Sequence, residues 1–173
     1  MSDELYTPEK KMRRSATFSP DRKRRFDLVR DWQDEGGPDR TALFAGLNPS
    51  KADENDDDPT VRKTVGFGKR WGFGRIVLVN LLSIVSTHPW DLPFWCGIDM
   101  ENRAIIQHWM GEADIVVAAW GSQPGAVRRK IALPELIYLF RQIAPVTLYC
   151  IGTTKCGDPI HPSRTAYTTG PEI

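Results

Sequence analysis

Four short apolar segments constrain the fold of this chain more than any other feature of its sequence. They are rich in β-branched residues and almost continuously apolar, which is typical of strands that are buried on both faces. The segments are TALFAGL from Thr41, RIVLVNLLSIV from Arg75, DIVVAAWG from Asp114 and VTLYCIG from Val146. They predict the central strands of a sheet that other elements cover on both sides.

The segments between these predicted strands have helical character. Asp58 followed by Pro59 is typical of a helix start, because Asp caps the first turn and proline is tolerated at the first helical position. This helix should run to about Trp71. A second helix is expected from near Asp99 through MENRAIIQHWMGEA, and a third, GAVRRKIALPELIYLF, should be interrupted at Pro134.

The alternation of strands and helices predicts an α/β fold. Right-handed crossovers would join four parallel strands into the central sheet of a three-layer α/β/α domain. Ahead of these strands, ATFS and RRFDLVRDW predict a short N-terminal hairpin, or a strand and a helix. From the length of 173 residues we expect one domain spanning 1–173, with 1–40 as a basic extension packed on it.

Each predicted strand is followed by a polar element. The first leads into GLNPS from Gly46, the second contains Asn80 near its end, the third leads into WGSQ from Trp120, and the fourth leads from Gly152 into TTKCGDPIHPSR. In open α/β sheets, ligands bind beyond the carboxyl ends of the strands. The pattern therefore predicts that these four elements meet at one edge of the sheet and form a site there.

These elements, in this order, resemble the motifs of the uracil-DNA glycosylase superfamily. The segment GLNPS is similar to the first motif of that superfamily, which reads GQDPY in the uracil enzymes and GINPG or GMNPG in other branches. Asn80 corresponds to the Asn that ends the second strand. Trp120-Gly121-Ser122 is similar to the motif LWGS, and His161-Pro162-Ser163 to the start of the last motif.

The chain as a whole also resembles a family of short bacterial and phage proteins, the domain-of-unknown-function family 1643. The resemblance lies in the segment LNPS…DDPT…R, which begins at Leu47.

The superfamily resemblance implies a monofunctional DNA glycosylase that flips a nucleotide, hydrolyses its N-glycosidic bond and leaves an abasic site. Such a reaction needs donors aimed at the departing base and a positioned water molecule near the sugar. His161 would donate to a carbonyl oxygen of the base, and Asn48 would hold the attacking water through its side-chain oxygen. Asn80 would read the base edge, since an amide offers both a donor and an acceptor. No metal and no cofactor is implied.

Further contacts are implied for the base and for the DNA. Gly46, Leu47, Ser50 and Phe67 would contact the base, and Ser122, Ser163 and Arg164 would contact the DNA backbone or fill the vacated stack. Local sequence alone also allows simpler interpretations. Asn48 before a proline fits an ordinary turn, and His161 near two prolines fits an ordinary loop.

One departure from the superfamily pattern concerns substrate size. In the uracil enzymes a Tyr follows the N/D-P pair and closes the C5 side of the pyrimidine, whereas Ser50 leaves that side open. Five carboxylates follow, at 53, 54, 56, 57 and 58. We predict a pocket that admits a pyrimidine enlarged at C5, such as glucosylated hydroxymethylcytosine of phage DNA. The alternative for the acidic run is a solvated loop that favours the amino terminus of the next helix.

The net charge and the cysteine content limit which partners and cofactors the chain is expected to have. The net charge is only +1, but residues 1–30 hold nine basic and five acidic side chains. Such a cluster can neutralise phosphates, although a solvated surface hairpin would look the same. Cys96, Cys150 and Cys156 lack CxxC spacing, which argues against zinc, an iron–sulfur cluster or a disulfide framework. We expect a cytoplasmic monomer that binds double- or single-stranded DNA and no membrane.

Two other functions fit the same residues, namely a hydrolase of free modified nucleotides and a non-catalytic module that binds modified DNA. A metal-dependent nuclease fits less well. The acidic cluster at 56–58 has ligands that a hard cation accepts, but no second acidic motif accompanies it from another strand.

Overall fold

The computed structural model describes residues 12–94, 97–143, 146–167 and 170–172. Within these ranges, six strands form one mixed sheet in the order β1–β2–β4–β3–β5–β6. The strands are β1 Arg13–Phe18, β2 Arg25–Asp31, β3 Thr41–Gly46, β4 Arg75–Asn80, β5 Ile115–Ala118 and β6 Leu148–Cys150. The helices are α1 Pro59–Arg70, α2 Met100–Glu112, α3 Gly125–Lys130 and α4 Leu133–Arg141, with short 3-10 turns at Gln33–Glu35, Pro89–Asp91 and Pro162–Arg164.

The prediction of an α/β fold is confirmed, but the sheet has six strands where four were predicted. Strands β4, β3, β5 and β6 are parallel neighbours, as expected. The hairpin of β1 and β2 is not an extension packed on them, because β2 pairs antiparallel with β4 and places Leu28 opposite Leu78. Without β2, the almost entirely buried strand β4 would be an edge with unpaired backbone groups. The hairpin therefore completes the sheet.

Helices α1 and α2 begin where the sequence predicts. Asp58 caps α1 by accepting a hydrogen bond from the main-chain nitrogen of Val61 at 2.9 Å. Asp99 caps α2 in the same way, accepting from the main-chain nitrogen of Asn102 at 2.8 Å. Both caps satisfy amide groups that a helix start leaves without partners inside the helix.

The third predicted helix is divided into α3 and α4. The break lies at Ala132, which has a left-handed backbone with φ of 47°. It is not at Pro134, because that proline occupies the first turn of α4, where proline is tolerated.

Alternate side chains of the central strands build a core on each face of the sheet. Leu43, Ala45, Val77 and Val79 pack with residues of α2, α3 and α4. On the opposite face, Ala42, Phe44, Ile76 and Leu78 pack with residues of α1 and with the Trp32 and Trp71 rings. The helices thus cover both faces of the parallel strands, while the carboxyl ends of these strands remain accessible.

The hairpin and the acidic run, two features that lie apart in the sequence, are joined by a buried ion pair. The Arg30 side chain on β2 is fully buried, and its Nη2 lies 2.7 Å from Oδ1 of Asp57. The same nitrogen donates to the carbonyl oxygen of Asp53 at 2.6 Å. One arginine therefore holds Asp53, at the start of the acidic run, and Asp57, near its end, against the sheet.

Two exposed arginines of the hairpin strengthen this attachment. Arg14 donates to Oδ2 of Asp57 at 3.1 Å. Arg22 forms a bidentate contact with the carboxylate of Glu54, in which Nη1 donates to Oε1 at 3.2 Å and Nη2 donates to Oε2 at 3.0 Å. The acidic run is therefore paired with the hairpin and is not a freely solvated loop, while its last residue, Asp58, caps α1 as the alternative interpretation expected.

We predict that Arg30→Met lowers the free energy of unfolding by about 3–5 kcal/mol, because the substitution leaves the Asp57 carboxylate partly buried without its main counterion. Urea denaturation followed by circular dichroism measures this loss.

Arg13→Met is the matched control on the same hairpin. Arg13 pairs with Asp31, but its side chain is 59% exposed, and Asp31 keeps a second partner in Arg75. We expect a loss below about 1 kcal/mol. Equal losses in the two variants would contradict a special role for Arg30.

Candidate functional site

A cavity of about 470 Å³ lies at the carboxyl edge of the parallel strands. The segments that follow β3, β5 and β6 line it, together with Asn80 at the end of β4. Its volume is in the usual range for small-molecule and cofactor sites. The four polar elements predicted to converge are therefore brought together.

Nine of the ten site residues expected from the sequence line this cavity. They are Gly46, Leu47, Asn48, Ser50, Asn80, Ser122, His161, Ser163 and Arg164. The structure establishes their proximity, and their chemical roles stay predictions.

Phe67 is the exception. Its side chain is fully buried, and its ring packs 5.1 Å from the Trp71 ring and 4.9 Å from the Tyr167 ring, centroid to centroid. Phe67 lies on the inner face of α1 and does not line the cavity, so the predicted stacking on a base is not supported. Phe44 of β3 and Trp120 are aromatic residues that line it instead.

Asn48 is held by main-chain carbonyl groups in a defined orientation. Its Nδ2 donates to the carbonyl oxygens of Pro49 at 3.1 Å and of Ser86 at 2.8 Å. Only the NH₂ end of an amide can donate, so the side chain's Oδ1 must point the other way. Asn48 therefore stabilises a turn and also presents an acceptor at the cavity.

Asn80 is a buried amide whose donor lacks a partner. The residue is 4% exposed, and its Nδ2 makes no hydrogen bond to any part of the chain that the structure describes. Gly46 leaves room for it, since a Cβ atom there would lie 2.7 Å from Oδ1 of Asn80. Leaving a buried donor unsatisfied costs about 1–3 kcal/mol. A ligand that accepts from Nδ2 would remove this cost.

His161 is held in the neutral form. Burial lowers the pKa of His161 below its ordinary value of 6.5, and the positive charge of Arg164 acts in the same direction, whereas the Asp58 carboxylate opposes them. Nδ1 lies 2.8 Å from Oγ of Ser163 and accepts a hydrogen bond from the main-chain nitrogen of the same residue at 3.3 Å. The proton of the neutral ring then belongs on Nε2, which makes that nitrogen a donor.

The loop after β5 approaches His161 closely. Gly121 has φ of +71°, and a Cβ atom there would lie 2.9 Å from Cβ of His161. Glycine is required at this position both for its backbone conformation and for the close packing. The WGS element therefore packs closely against His161, and Gly121 makes this close packing possible.

Ser122, which we expected to contact DNA, donates to Oδ2 of Asp158 at 2.8 Å. Arg128 donates to the other oxygen of the same carboxylate at 2.7 Å. Burial alone would raise the pKa of Asp158, but the hydrogen bonds from Arg128 and Ser122 hold it below its ordinary value. Ser122 thus helps to connect the loop after β5 to the loop after β6.

Arg25 is a cavity residue that sequence reasoning missed, because it was counted as one of the basic residues of the N-terminal cluster. It is 3% exposed and lines the cavity. Its Nη1 donates to the carbonyl oxygen of Ala52 at 2.8 Å. Burial lowers the pKa of Arg25 to about 10, so the guanidinium remains charged at neutral pH. Only the pairing of β2 with β4 reveals its position.

Three buried N–H donors of the cavity lining share an unusual property. Nε of Arg25, Nδ2 of Asn80 and Nε1 of Trp120 have no hydrogen-bond partner within the described ranges. Buried polar groups are rarely left unpaired, and such exceptions call for an explanation. All three are donors, and each belongs to a residue that lines the cavity.

The basic cluster of the N-terminal hairpin is largely neutralised within the molecule. Arg13, Arg14, Arg22, Arg24 and Arg30 each form an ion pair with a carboxylate. Lys10 and Lys11 lie outside the described residues. The cluster therefore fits the surface-hairpin interpretation better than a dedicated phosphate-binding surface.

Cys150 and Cys156 are free thiols, and Cys96 lies outside the described residues. In the part of the chain that the structure covers, no three His, Cys, Asp or Glu side chains are grouped so that they could hold a metal ion. Over the same residues, no helix combines the length and the apolar character needed to cross a membrane.

The fold and cavity define an α/β protein with a ligand-sized site at the carboxyl edge of its sheet. The model of a family described as protein of unknown function (DUF1643) matches residues 25–163. The chain belongs to this family, and the matched region includes β2 and every cavity residue except Arg164. Comparison with curated proteins and with solved structures found no match.

We predict that the site loses stability as the pH falls below about 6.5. The folded-state pKa of His161 is lower than the ordinary value of 6.5, so the unfolded chain binds the proton first. The stabilisation is complete above 6.5 and is lost as the pH falls through this value towards the folded-state pKa. Melting temperatures between about pH 8 and 5, compared for the unmodified protein and His161→Gln, measure this effect.

His108→Gln, which removes an exposed histidine of α2 outside the cavity, is the matched control for the loss of a histidine side chain. A His161→Gln variant with an unchanged pH dependence would contradict the assignment.

Proposed function

We propose that the protein is a DNA N-glycosylase with a uracil-DNA glycosylase-like fold, and that it excises a C5-modified pyrimidine. The observation that carries the proposal is that Asn48, Asn80 and His161, from three separate segments, line one cavity at the expected edge of the sheet. A water-holding acceptor, a base-reading amide and a neutral imidazole donor are the groups that the reaction requires.

His161 would stabilise the departing base. As the N-glycosidic bond breaks, electrons move onto the base and a carbonyl oxygen becomes anionic. The proton on Nε2 of a neutral imidazole can be donated to this oxygen in a hydrogen bond without leaving the ring. The lowered pKa of His161 keeps the ring neutral at physiological pH. Removal of one such donor costs about 10²–10³ in rate.

Asn48 would place the attacking water. Its Nδ2 is already engaged by Pro49 and Ser86, so Oδ1 is the atom left to accept a hydrogen bond from water. An amide does not remove a proton as a carboxylate does. Asn48 would therefore act by holding the water on the side of the sugar opposite the leaving base, and a slow reaction is expected.

Asn80 and Ser50 would select the base. The unpaired Nδ2 of Asn80 supports a role in reading an acceptor on the base edge. Ser50 lines the cavity with a small side chain, where the uracil enzymes have a Tyr. Room on this side supports a base that carries a substituent at C5, with glucosylated hydroxymethylcytosine of phage DNA as the leading candidate.

Ser163 and Arg164 would contact the DNA. Both are exposed residues of the turn that follows His161, and both line the cavity. Arg164 is a cation at the mouth of the site, where a phosphate of a flipped nucleotide would pass.

We predict release of a base from DNA and loss of that release in the variants Asn48→Ala and His161→Gln. The protein is incubated with phage genomic DNA that carries plain, hydroxymethylated or glucosylated cytosine, and with uracil-containing DNA. Mass spectrometry identifies the released base, and alkaline cleavage counts abasic sites. Each variant should release base about 10²–10³ times more slowly.

Asn55→Ala, which changes an exposed asparagine of the acidic run, is the matched control and should retain full activity. Failure to release any base from these four DNAs would reject the glycosylase. If binding to one of them persisted, a non-catalytic module that binds modified DNA would replace it.

A hydrolase of free modified nucleotides is the second candidate. The internal pairing of Arg14, Arg22 and Arg30 favours it, because these arginines are then not available for a long phosphate backbone. The salt dependence of binding distinguishes the DNA glycosylase from the nucleotide hydrolase. A DNA glycosylase that contacts several phosphates should lose affinity steeply as the salt concentration rises, whereas binding of a single nucleotide should change little.

A further inference from the structure

Two opposite charges line the cavity without being bonded to each other. Arg25 and Asp58 are both cavity residues. The Asp58 carboxylate raises the pKa of Arg25, against the larger lowering by burial, so the two charges lie within electrostatic range. Over the described residues, however, neither an ion pair nor a hydrogen bond joins them. Neither side chain neutralises the other through a direct bond, and both line the space that a ligand would occupy.

Arg25 is fixed in place but incompletely bonded. Its main-chain nitrogen donates to the carbonyl oxygen of Ser83 at 2.8 Å, and its Nη1 donates to that of Ala52 at 2.8 Å. Its Nε has no partner within the described ranges and is buried. Burying a charged group is costly unless all of its donors are bonded. An oxygen atom of a ligand would complete the set.

Asp58 offers the complementary acceptor. Its Oδ1 accepts from the main-chain nitrogen of Val61 at 2.9 Å as the cap of α1. A carboxylate has about four lone-pair positions on its two oxygens, so one cap bond leaves acceptor capacity for a ligand. The capping bond also fixes the orientation of the carboxylate.

Both groups belong to the Ser50 side of the cavity. Arg25 is bonded to Ala52, two residues after Ser50, and Asp58 ends the same segment. Thr60 and Thr64 of α1 also line the cavity. The part of the lining that Ser50, Asp58, Thr60 and Thr64 contribute is therefore polar, unlike an apolar space for a methyl group.

We propose that Arg25 and Asp58 form a subsite for a hydroxyl group on the C5 substituent of the base. Arg25 donates to the hydroxyl oxygen, and the hydroxyl donates its proton to Asp58. A hydroxyl is the smallest group that both accepts and donates, and a methyl group does neither. This subsite rests on the proposed function for the orientation of the base, and it selects C5 substituents that carry a hydroxyl, of a hydroxymethyl group or of an attached sugar, over methyl groups or hydrogen.

Binding, measured without any reaction, tests the subsite. Affinities of the full chain for 5-hydroxymethyl-2′-deoxycytidine, 5-methyl-2′-deoxycytidine and 2′-deoxycytidine are measured by isothermal titration calorimetry. Hydrogen bonds to charged groups are among the stronger ones in proteins, so we expect the hydroxymethyl nucleoside to bind about tenfold or more tightly than the methyl nucleoside.

Two variants assign the preference to these residues. Asp58→Asn keeps a capping side chain on α1 but removes the charge, and Arg25→Met removes the donor at similar length. Each should reduce the ratio of the affinities for the hydroxymethyl and methyl nucleosides at least severalfold, whatever its effect on the affinity for 2′-deoxycytidine. Asp99→Asn is the matched control, because Asp99 caps α2 in the same way and does not line the cavity.

The outcomes separate this subsite from the glycosylase reaction. Equal affinity for the hydroxymethyl and methyl nucleosides, no measurable binding of any nucleoside, or a preference that survives in Asp58→Asn would overturn the subsite. Should Arg25→Met not fold, the result for Asp58→Asn decides. Selective nucleoside binding without base release from DNA would support the subsite and reject the glycosylase. Base release without a preference for the hydroxyl group would reject the subsite and support the glycosylase.

Discussion

The buried ion pair between Arg30 and Asp57 determines where one wall of the cavity lies. Arg30 projects from β2, which is bonded to β4, and it also binds the main chain at Asp53. The bound segment connects Ser50 to Asp58, and both of these residues line the cavity. The five carboxylates of the acidic run would repel one another if they had no cationic partners. The hairpin arginines allow it to fold into a fixed wall that ends in the cap of α1.

The cavity lining carries local costs in folding stability. Arg25, Asn80 and Trp120 each keep a buried donor unpaired among the described residues, which is unfavourable for folding. Gly46 and Gly121 are needed because side chains there would collide with Asn80 and His161. These features concentrate at one edge of the sheet, while the cores on its two faces are built from well-packed apolar side chains. Such local costs are expected where a protein binds a ligand.

Most of the cavity lining could be predicted from the sequence, because parallel strands deliver their carboxyl ends to one edge. Asn48, Asn80 and His161 were found in this way. Phe67 was expected to contact the base but does not line the cavity. The sequence of α1 does not show which face of the helix points towards the cavity, and only the packing of Phe67 against Trp71 and Tyr167 shows that its side chain lies in the core. Arg25 was missed, since a basic residue beside other basic residues gives no local sign that it is buried.

By itself, the sequence determined the four parallel strands, the starts of α1 and α2, and the polar elements at the strand ends. These depend on short-range properties, namely continuous apolar runs, Asp caps and the order of elements along the chain. Only the tertiary structure decided that the hairpin extends the sheet, that Arg25 enters the cavity, and that the basic and acidic clusters neutralise each other. Arg30 and Asp57 are 27 residues apart, and no local pattern encodes which of several arginines meets which carboxylate.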